Sequence, residues 1–317
     1  MKAYSTTLPV SRRGGISVVG EITTKGKSTE AANRYIDTAR EMQLIVRIGR
    51  EWQNTKTGNV LAALPSNKNI FQLSMAQRFI LLRTLLETDY LYLKVLIDLI
   101  PYRGQSNDPG RFRVEVSSCI ENLLKQIKNP NEVQKLKKAR KSMDDWESPE
   151  SYYRENIRAP RLEWLVDLGI VTKWHQRVNY IALGPSASRF FVEPDLTTKW
   201  INANYAKAFH ECFKEDLPKS KRWTSLSEKS QQKFISKYIG RAMQIFRPSP
   251  KVDKISAWQF LTYTECMLLV EKGVIAAESD LERALVSLTA QSTKYRFVGM
   301  IRRKVDIGYI VLRKART

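Results

Sequence analysis

The sequence has few of the residues that build disulfide frameworks and metal centres. Its three cysteines, Cys119, Cys212 and Cys266, lie far apart and form no CxxC pair, and its two histidines are His175 and His210. Structural zinc sites use closely spaced pairs of cysteine and histidine ligands, and that spacing is missing here. We therefore expect free thiols in a reducing compartment, the cytoplasm, with no metal site and no cofactor.

Signatures of catalysis and of membrane insertion are missing as well. The chain contains no GxxxxGK[ST] phosphate loop and no GxSxG elbow. Asp253 beside Lys254, and the isolated Asp306, do not make the carboxylate pair that metal-dependent nucleases need. No apolar run approaches the roughly 18 residues that span a bilayer, and residues 1–15 lack a signal peptide's apolar stretch. We expect a protein that is not an enzyme and does not enter a membrane.

Acidic residues are scarce relative to basic ones. The 317 residues include 53 Lys plus Arg against 32 Asp plus Glu, which gives a formal charge of +21. Hydrophobic residues make up 43% of the chain, as in ordinary globular proteins, so the excess charge belongs to folded segments. A folded surface with so many cations favours a polyanion, and nucleic acid is the commonest one. A membrane surface is the alternative, but no basic amphipathic anchor stands out.

The N-terminal part of the chain predicts a strand, a helix and a hairpin in that order. Residues 15–24 alternate apolar and polar side chains, which is typical of a strand. Ser28 then offers a helix N-cap, and apolar residues follow at helical spacing as far as Met42. The segment IVRIGREWQNTKTG predicts two strands that turn at Gly49 and end at Gly58.

The sequence becomes strongly helical after this hairpin. Residues 73–100 have dense apolar periodicity behind Ser74, which predicts one long helix capped by that serine. Another helix is predicted at 114–127. A basic stretch at 131–141 then gives way to acidic residues, and this reversal of charge predicts a domain boundary near 145–150.

An internal repeat relates two parts of the chain. When the sequence is shifted by 126 residues, 42–45 (MQLI) falls on 168–171 (LGIV), and Gly58 falls on Gly184. Apolar residues of the preceding helices also coincide. Both copies predict a helix, a short motif that ends the helix, a basic hairpin, a glycine and a long helix, which indicates a duplicated module.

The C-terminal third predicts a related arrangement. Residues 217–254 carry ten basic and two acidic residues, and prolines mark 247–254 as a linker. A helix is predicted at 257–273, with the final glycine as its C′ residue, and a second capped helix follows. Two strands are then predicted on either side of Arg302–Lys304.

Two of these segments resemble the helix-plus-wing half of winged helix-turn-helix domains. Residues 161–191 (RLEWLVDLGIVTKWHQRVNYIALGPSASRFF) resemble that family's apolar helix, its LGLV-like stop and its basic hairpin. Residues 31–64 resemble the same unit, with Gln43 in place of the usual glycine. The resemblance implies a helix that enters the major groove of DNA and a hairpin that lies over the backbone or minor groove.

The predicted fold class is therefore mainly α with small β-hairpins (α+β), with tandem winged-helix modules joined by helical segments. Residues 1–145 are expected to form a winged helix with a helical extension. Residues 146–216 are expected to form a second winged-helix module, and 217–317 a basic helical segment with a third winged helix.

The resemblance also designates candidate DNA contacts. Polar side chains of the first module's helix are expected to face bases, where Asn33 suits adenine and Arg34 suits guanine. Cations of the hairpins are expected to contact phosphates, because phosphate contact tolerates loose geometry. The full predicted set is Ser28, Thr29, Asn33, Arg34, Arg47, Arg50, Lys56, Arg154, Arg158, Arg161, Lys173, Gln176, Arg177, Arg302, Arg303 and Lys304.

Three functions fit these observations. The first is a duplex-DNA-binding adaptor or specificity subunit, as in bacterial defence or restriction systems, whose protein partner carries any enzymatic activity. The second is a plasmid-type replication initiator or transcription regulator with two winged helices. The third is a scaffold whose winged helices bind other proteins. An RNA-binding function finds no support, because neither an RNP motif nor a KH-type GxxG loop is visible.

Overall fold

Helices dominate the part of the chain that the structure describes. The computed structural model describes residues 36–69, 72–99, 109–127, 130–142, 152–174, 179–183, 198–249, 252–299 and 308–313. The helices are α1 (Lys56–Ala63), α2 (Met75–Thr88), α3 (Tyr90–Leu99), α4 (Pro109–Gln126), α5 (Pro130–Ser142), α6 (Tyr152–Asp167), α7 (Thr198–Cys212), α8 (Glu228–Phe246), α9 (Ala257–Lys272) and α10 (Glu278–Gln291). The strands are β1 (Ile45–Ile48), β2 (Glu51–Asn54), β3 (Val171–Trp174), β4 (Asn179–Leu183), β5 (Lys221–Arg222), β6 (Lys254–Ser256), β7 (Val274–Ile275), β8 (Tyr295–Val298) and β9 (Tyr309–Leu312). The predicted class, mainly α with small β-hairpins, is confirmed at this level.

Contacts within the chain divide it into two compact units. The first unit holds the described residues up to Thr84 and those from Thr198 onward, and the second holds those from Leu85 to Leu183. This division differs from the predicted domains 1–145, 146–216 and 217–317. The reason is that helices from both ends of the chain share one core in the first unit, where α9 contacts α1 and α7.

Helix α9 is the centre of the first unit. Its residues from Gln259 to Leu269 are all buried, including Glu265. A helix that is buried on all sides must be covered by other elements on all sides, and α9 contacts α1, α7, α8, α10, β6 and β7. Ser256 begins the helix, because its hydroxyl accepts a hydrogen bond from the Gln259 amide at 3.2 Å.

Helix α9 ends at Gly273, as the sequence predicts. This residue has a φ of +65°, and its amide donates to the Leu269 carbonyl at 2.9 Å. A Cβ atom here would lie 2.4 Å from the Lys219 carbonyl oxygen and 2.7 Å from the Pro218 carbonyl oxygen. Glycine is therefore required both by the left-handed backbone and by the close approach of the segment before β5.

A buried ion cluster links α2 to α9 and α10. The Arg83 guanidinium donates to Glu265 through Nη1 and to Glu278 through Nη2, the latter at 2.7 Å. The arginine side chain is 4% exposed, and the two glutamates are 1% and 8% exposed. Removing each charge from water costs several kcal/mol, so each of the three groups depends on the others to remain in the core.

Aromatic side chains join α2 to α7 beside this cluster. The Phe79 ring centroid lies 4.7 Å from that of Tyr205 and 5.1 Å from that of Phe209, both edge-on. The Tyr205 hydroxyl donates to the Phe79 carbonyl at 2.5 Å. Burial raises the pKa of Tyr205 well above its ordinary value, so the hydroxyl keeps its proton and remains a donor.

The C-terminal part of the first unit combines three helices with a three-stranded sheet. Along the chain the order is α8, β6, α9, β7, α10, β8 and β9, where β7 pairs with β5 and lies outside the three-stranded sheet. Strand β9 lies between β6 and β8, and both pairings are antiparallel. The two predicted C-terminal strands are confirmed as β8 and β9. The predicted linker 247–254 is wrong at its end, because Lys254 begins β6 and pairs with Val311 of β9.

The two repeated segments share one kind of turn at the end of a helix. In the first copy, helical residues 36–41 are followed by Gln43 with a φ of +54°. In the second copy, α6 is followed by Gly169 with a φ of +75°. The predicted shift of 126 residues places one of these residues on the other, so the repeat extends to the backbone conformation.

Hydrogen bonds at the two turns are also equivalent. The Leu44 amide donates to the Ala39 carbonyl at 2.8 Å, and the Ile170 amide donates to the Leu165 carbonyl at 2.9 Å. These are the bonds of a Schellman cap, in which the C′ residue takes the left-handed conformation. An antiparallel hairpin follows each cap, β1–β2 in the first copy and β3–β4 in the second.

The first hairpin is shorter than predicted. It turns at Gly49 as expected, but β2 ends at Asn54 rather than at Gly58. Thr55 begins α1 instead, because its hydroxyl accepts a hydrogen bond from the Gly58 amide at 3.1 Å. A Cβ atom on Gly58 would lie 2.0 Å from the Leu44 carbonyl oxygen, so α1 packs on the first turn only because this side chain is absent.

The single helix predicted at 73–100 divides at Asp89 into α2 and α3. Its predicted cap is confirmed, because the Ser74 hydroxyl accepts the Gln77 amide at 3.2 Å and the Gln77 side chain accepts the Ser74 amide at 2.9 Å. The division lies where Asp89 accepts two hydrogen bonds from Arg161. Because Arg161 is far from Asp89 along the chain, the sequence does not predict this contact.

The second unit is built from α3 to α6 and the β3–β4 hairpin. Helix α3 packs against α4 and α6, and α5 packs against α4. Fully buried aliphatic side chains lie on the facing surfaces, among them Leu93, Leu96, Val116, Ile120 and Leu165.

Replacing Arg83 by Met should lower the free energy of unfolding by about 3–5 kcal/mol, because Glu265 and Glu278 would stay buried without their cation. Urea unfolding measures this loss. Arg283→Met is the matched control, because Arg283 also pairs with a carboxylate, Asp280, but is 78% exposed. Its loss should change the stability by less than about 1 kcal/mol. Equal small effects in the two variants would show that the cluster does not stabilise the core.

Candidate nucleic-acid interface

The predicted contacts of the first module fall into two groups. Ser28, Thr29, Asn33 and Arg34 lie outside the described residues. Three cations are described and exposed, with Arg47 on β1, Arg50 in the turn beside Gly49 and Lys56 at the start of α1. The prediction that Lys56 belongs to the hairpin is wrong, because Thr55 has already begun the helix.

The hairpin β1–β2 presents different side chains on its two faces. Arg47 lies opposite Trp52 on one face. Val46 and Ile48 lie on the other face and are 43% and 57% exposed. Arg47 therefore shares its face with the half-buried Trp52 ring. Because Lys56 belongs to α1, the hairpin carries fewer cations than the sequence suggests.

The predicted contacts of the second module lie on α6 and on the hairpin that follows it. Arg154 and Arg158 are positions of α6, and Lys173 is a position of β3. Gln176 and Arg177 lie outside the described residues.

Arg161 is engaged inside the protein. Its guanidinium donates to Asp89 at 2.5 and 2.8 Å, and it lies 4.7 Å from the Tyr92 ring and 5.5 Å from the Trp164 ring. Its side chain is only 13% exposed. These contacts assign Arg161 a structural role in joining α6 to the end of α2, so we leave it out of the proposed interface.

The C-terminal sheet carries cations on its outer face. Arg302, Arg303 and Lys304 fall between β8 and β9 and lie outside the described residues. In the register of the sheet, Val311 of β9 lies between Lys254 of β6 and Arg296 of β8. Directly opposed residues point to the same face, and both cations are exposed. With strands about 4.8 Å apart, the backbones of these two residues are about 10 Å from each other.

Two further cations lie at one end of this hairpin. The Arg313 amide donates to the Lys294 carbonyl at 2.9 Å, which extends the β8–β9 ladder by one residue pair. Both side chains are exposed. We call Lys254, Lys294, Arg296 and Arg313 together the basic sheet face.

The basic sheet face is not neutralised within the part of the chain that the structure describes. The carboxylate next to Lys254 in sequence, Asp253, is paired with Arg247 at 2.7 Å. The Lys254 ammonium instead lies 4.9 Å from the Tyr309 ring, and the Lys294 ammonium lies 5.3 Å from the Tyr295 ring. Aromatic rings hold these cations in place without cancelling their charge.

Sequence reasoning missed the basic sheet face. Lys254 follows a proline-rich stretch that is typical of a linker, and a strand of three residues has too little periodicity to detect. The signal that was available lay in β8, where Tyr295, Arg296 and Phe297 alternate apolar and charged side chains.

Within the described ranges, no group of three or more His, Cys, Asp and Glu side chains is placed to hold a metal ion. None of the helices described here combines the length and the apolar character needed to cross a membrane.

A scan against protein-family models finds no match for this chain, and searches for similar curated proteins and for similar solved structures find none either.

The structural role of Arg161 predicts strong coupling with Asp89. In a double-mutant cycle of Arg161→Gln and Asp89→Asn, each single variant should lower the free energy of unfolding. The double variant should lose less than their sum, with a coupling energy of at least about 1 kcal/mol. Thermal or urea unfolding of the four proteins gives this value. A coupling energy near zero would mean that the ion pair contributes no stability. Arg161 would then again be a candidate for contact with DNA.

Proposed function

We propose that this protein binds duplex DNA through its C-terminal helices and sheet, with the basic sheet face contacting phosphates. The observation that carries the proposal is this face itself. Lys254 and Arg296 lie on strands of the sheet, Lys294 and Arg313 lie beside the ends of β8 and β9, and none of these four exposed cations has a carboxylate partner among the described residues. Clustered cations repel one another, and a polyanion relieves that repulsion.

The order of elements supports a winged-helix type of module. Helices α9 and α10 are followed directly by the β8–β9 hairpin, the helix, helix and hairpin order of that family. Arg302, Arg303 and Lys304 occupy the sequence between the two strands, the position of a wing. A wing over the DNA backbone needs cations rather than base-specific groups.

The repeat supports further modules of the same type. Equivalent Schellman caps precede the β1–β2 and β3–β4 hairpins, so the two segments that resemble winged helices share backbone geometry as well as sequence pattern. We propose that these two hairpins belong to modules related to the C-terminal one.

Duplex rather than single-stranded nucleic acid is the partner that fits the basic sheet face. Proteins that bind single strands offer exposed aromatic rings on which bases stack. On this face Tyr309 is half-buried and lies below the Lys254 ammonium. Cations that do not alternate with open aromatic rings suit phosphates, which a duplex presents at high density on its surface.

Removing charge from the basic sheet face should flatten the salt dependence of duplex binding. For Lys254→Gln with Arg296→Gln, the slope of log affinity against log salt should fall in magnitude by about 0.9 per lost phosphate contact, or about two units in all. The measurement is a set of binding isotherms on unrelated duplexes at several salt concentrations.

The charge-matched control is Lys207→Gln with Lys214→Gln, two exposed lysines elsewhere in the first unit. Both double variants lose two positive charges, so a general effect of net charge would flatten the two slopes equally. That result, or an unchanged slope in the sheet variant, would remove the basic sheet face from the interface. Circular dichroism establishes that each variant is folded.

A further inference from the structure

Helix α8 carries a straight row of lysines on its outer surface. Lys229, Lys233 and Lys237 follow one another at intervals of four residues, and all three are exposed. Each interval advances about 6 Å along the helix and turns about 40° around it. The three side chains therefore leave the helix from one strip about 80° wide, which we call the lysine ridge. The Lys237 ammonium lies 5.6 Å from the centroid of the Tyr238 ring, which does not cancel its charge.

The lysine ridge has no anionic partner among the described residues. The next residue at the same spacing, Arg241, is different, because it pairs with Glu271 of α9 at 2.7 Å. Tyr238 also donates to Glu271, at 3.1 Å, and burial together with this carboxylate raises the pKa of its hydroxyl. Glu271 thus neutralises the C-terminal end of the row, while the three lysines keep their charge uncompensated.

Gly240 lies on the same strip, between the lysines and the end of the helix. A Cβ atom at this position would meet nothing within 4 Å, so internal packing does not require glycine there. Glycine inside a helix costs about 0.5–1 kcal/mol relative to alanine. Its presence is explained if another molecule comes close to the helix backbone at this point.

The chemistry of the strip favours nucleic acid over a protein partner. The strip that contains Lys229, Lys233, Lys237, Gly240 and Gln244 has no apolar side chain. The centre of a protein interface is usually apolar and depleted in lysine. A row of cations with an open backbone between them suits a regular line of phosphates.

We propose that the lysine ridge is a second phosphate-binding surface, on which the backbone of duplex DNA lies along α8 with Gly240 at the point of closest approach. This inference rests on the proposed function but concerns a helix that precedes the helix, helix and hairpin unit. The ridge spans about 12 Å from Lys229 to Lys237, which is long enough for its three lysines to reach successive phosphates of one strand.

The experiment removes the charge of the ridge while keeping a matched net charge. In Lys229→Gln, Lys233→Gln, Lys237→Gln, the slope of log duplex affinity against log salt should fall in magnitude by about three units, or 0.9 per lysine. The control, Lys207→Gln, Lys214→Gln, Lys272→Gln, removes three exposed lysines elsewhere in the first unit. Its slope should fall by less than one third as much.

A steric variant tests the ridge without changing its charge. Gly240→Gln places a neutral side chain where the Cβ atom meets no neighbour, so the fold is retained. The variant should bind duplex DNA at least several-fold more weakly than the natural protein.

The outcomes separate this inference from the proposed function. If the unmodified protein binds no duplex at low salt, the proposed function itself fails. If it binds, and the ridge variant has the same slope as its control, the ridge does not contact phosphate and the inference is overturned. Unchanged affinity of Gly240→Gln would likewise overturn the close approach of DNA to α8.

Discussion

Arg83 holds together the helices from which the proposed interface is built. Its guanidinium lies between Glu265 near the middle of α9 and Glu278 at the start of α10, and all three charges are removed from water. Apolar packing tolerates small rotations of one helix on another, whereas a buried charge tolerates little displacement of its partner. The cluster therefore fixes where α10 begins relative to α9. Because the β8–β9 hairpin follows α10 directly, the cluster also sets the position of the outer face of the sheet.

The excess positive charge is distributed according to burial. Cations inside the protein or at its edges are paired, as Arg83, Arg161 and Arg247 are with glutamate or aspartate. Many exposed cations have no carboxylate partner in the described residues, and the basic sheet face and the lysine ridge are two places where such cations lie close together. Helices and strands place these charges at fixed spacing. Cations at fixed spacing can contact several phosphates of a regular backbone at the same time.

Local features of the fold could be predicted from the sequence, and contacts between distant residues could not. The Ser74 cap, the Gly273 helix end and the equivalent turns in the two repeated segments depend on neighbouring residues, and the structure agrees with each of them. The Arg161 contact with Asp89 and the pairing of β6 with β9 join residues far apart in sequence, so no local sequence pattern predicts them. The lysine ridge lies between these cases, because its four-residue spacing was visible but the neutralisation of Arg241 by Glu271 was not.

The most direct test of the account is the salt dependence of duplex binding by the unmodified protein. Isotherms on one duplex between about 50 and 200 mM salt give the slope of log affinity against log salt. If the basic sheet face and the lysine ridge both contact phosphates, their seven cations alone contribute about −6 to this slope, and the measured slope should be at least as steep. Affinity that is independent of salt, or no binding at about 50 mM, would contradict the claim that these surfaces exist to hold a nucleic-acid backbone.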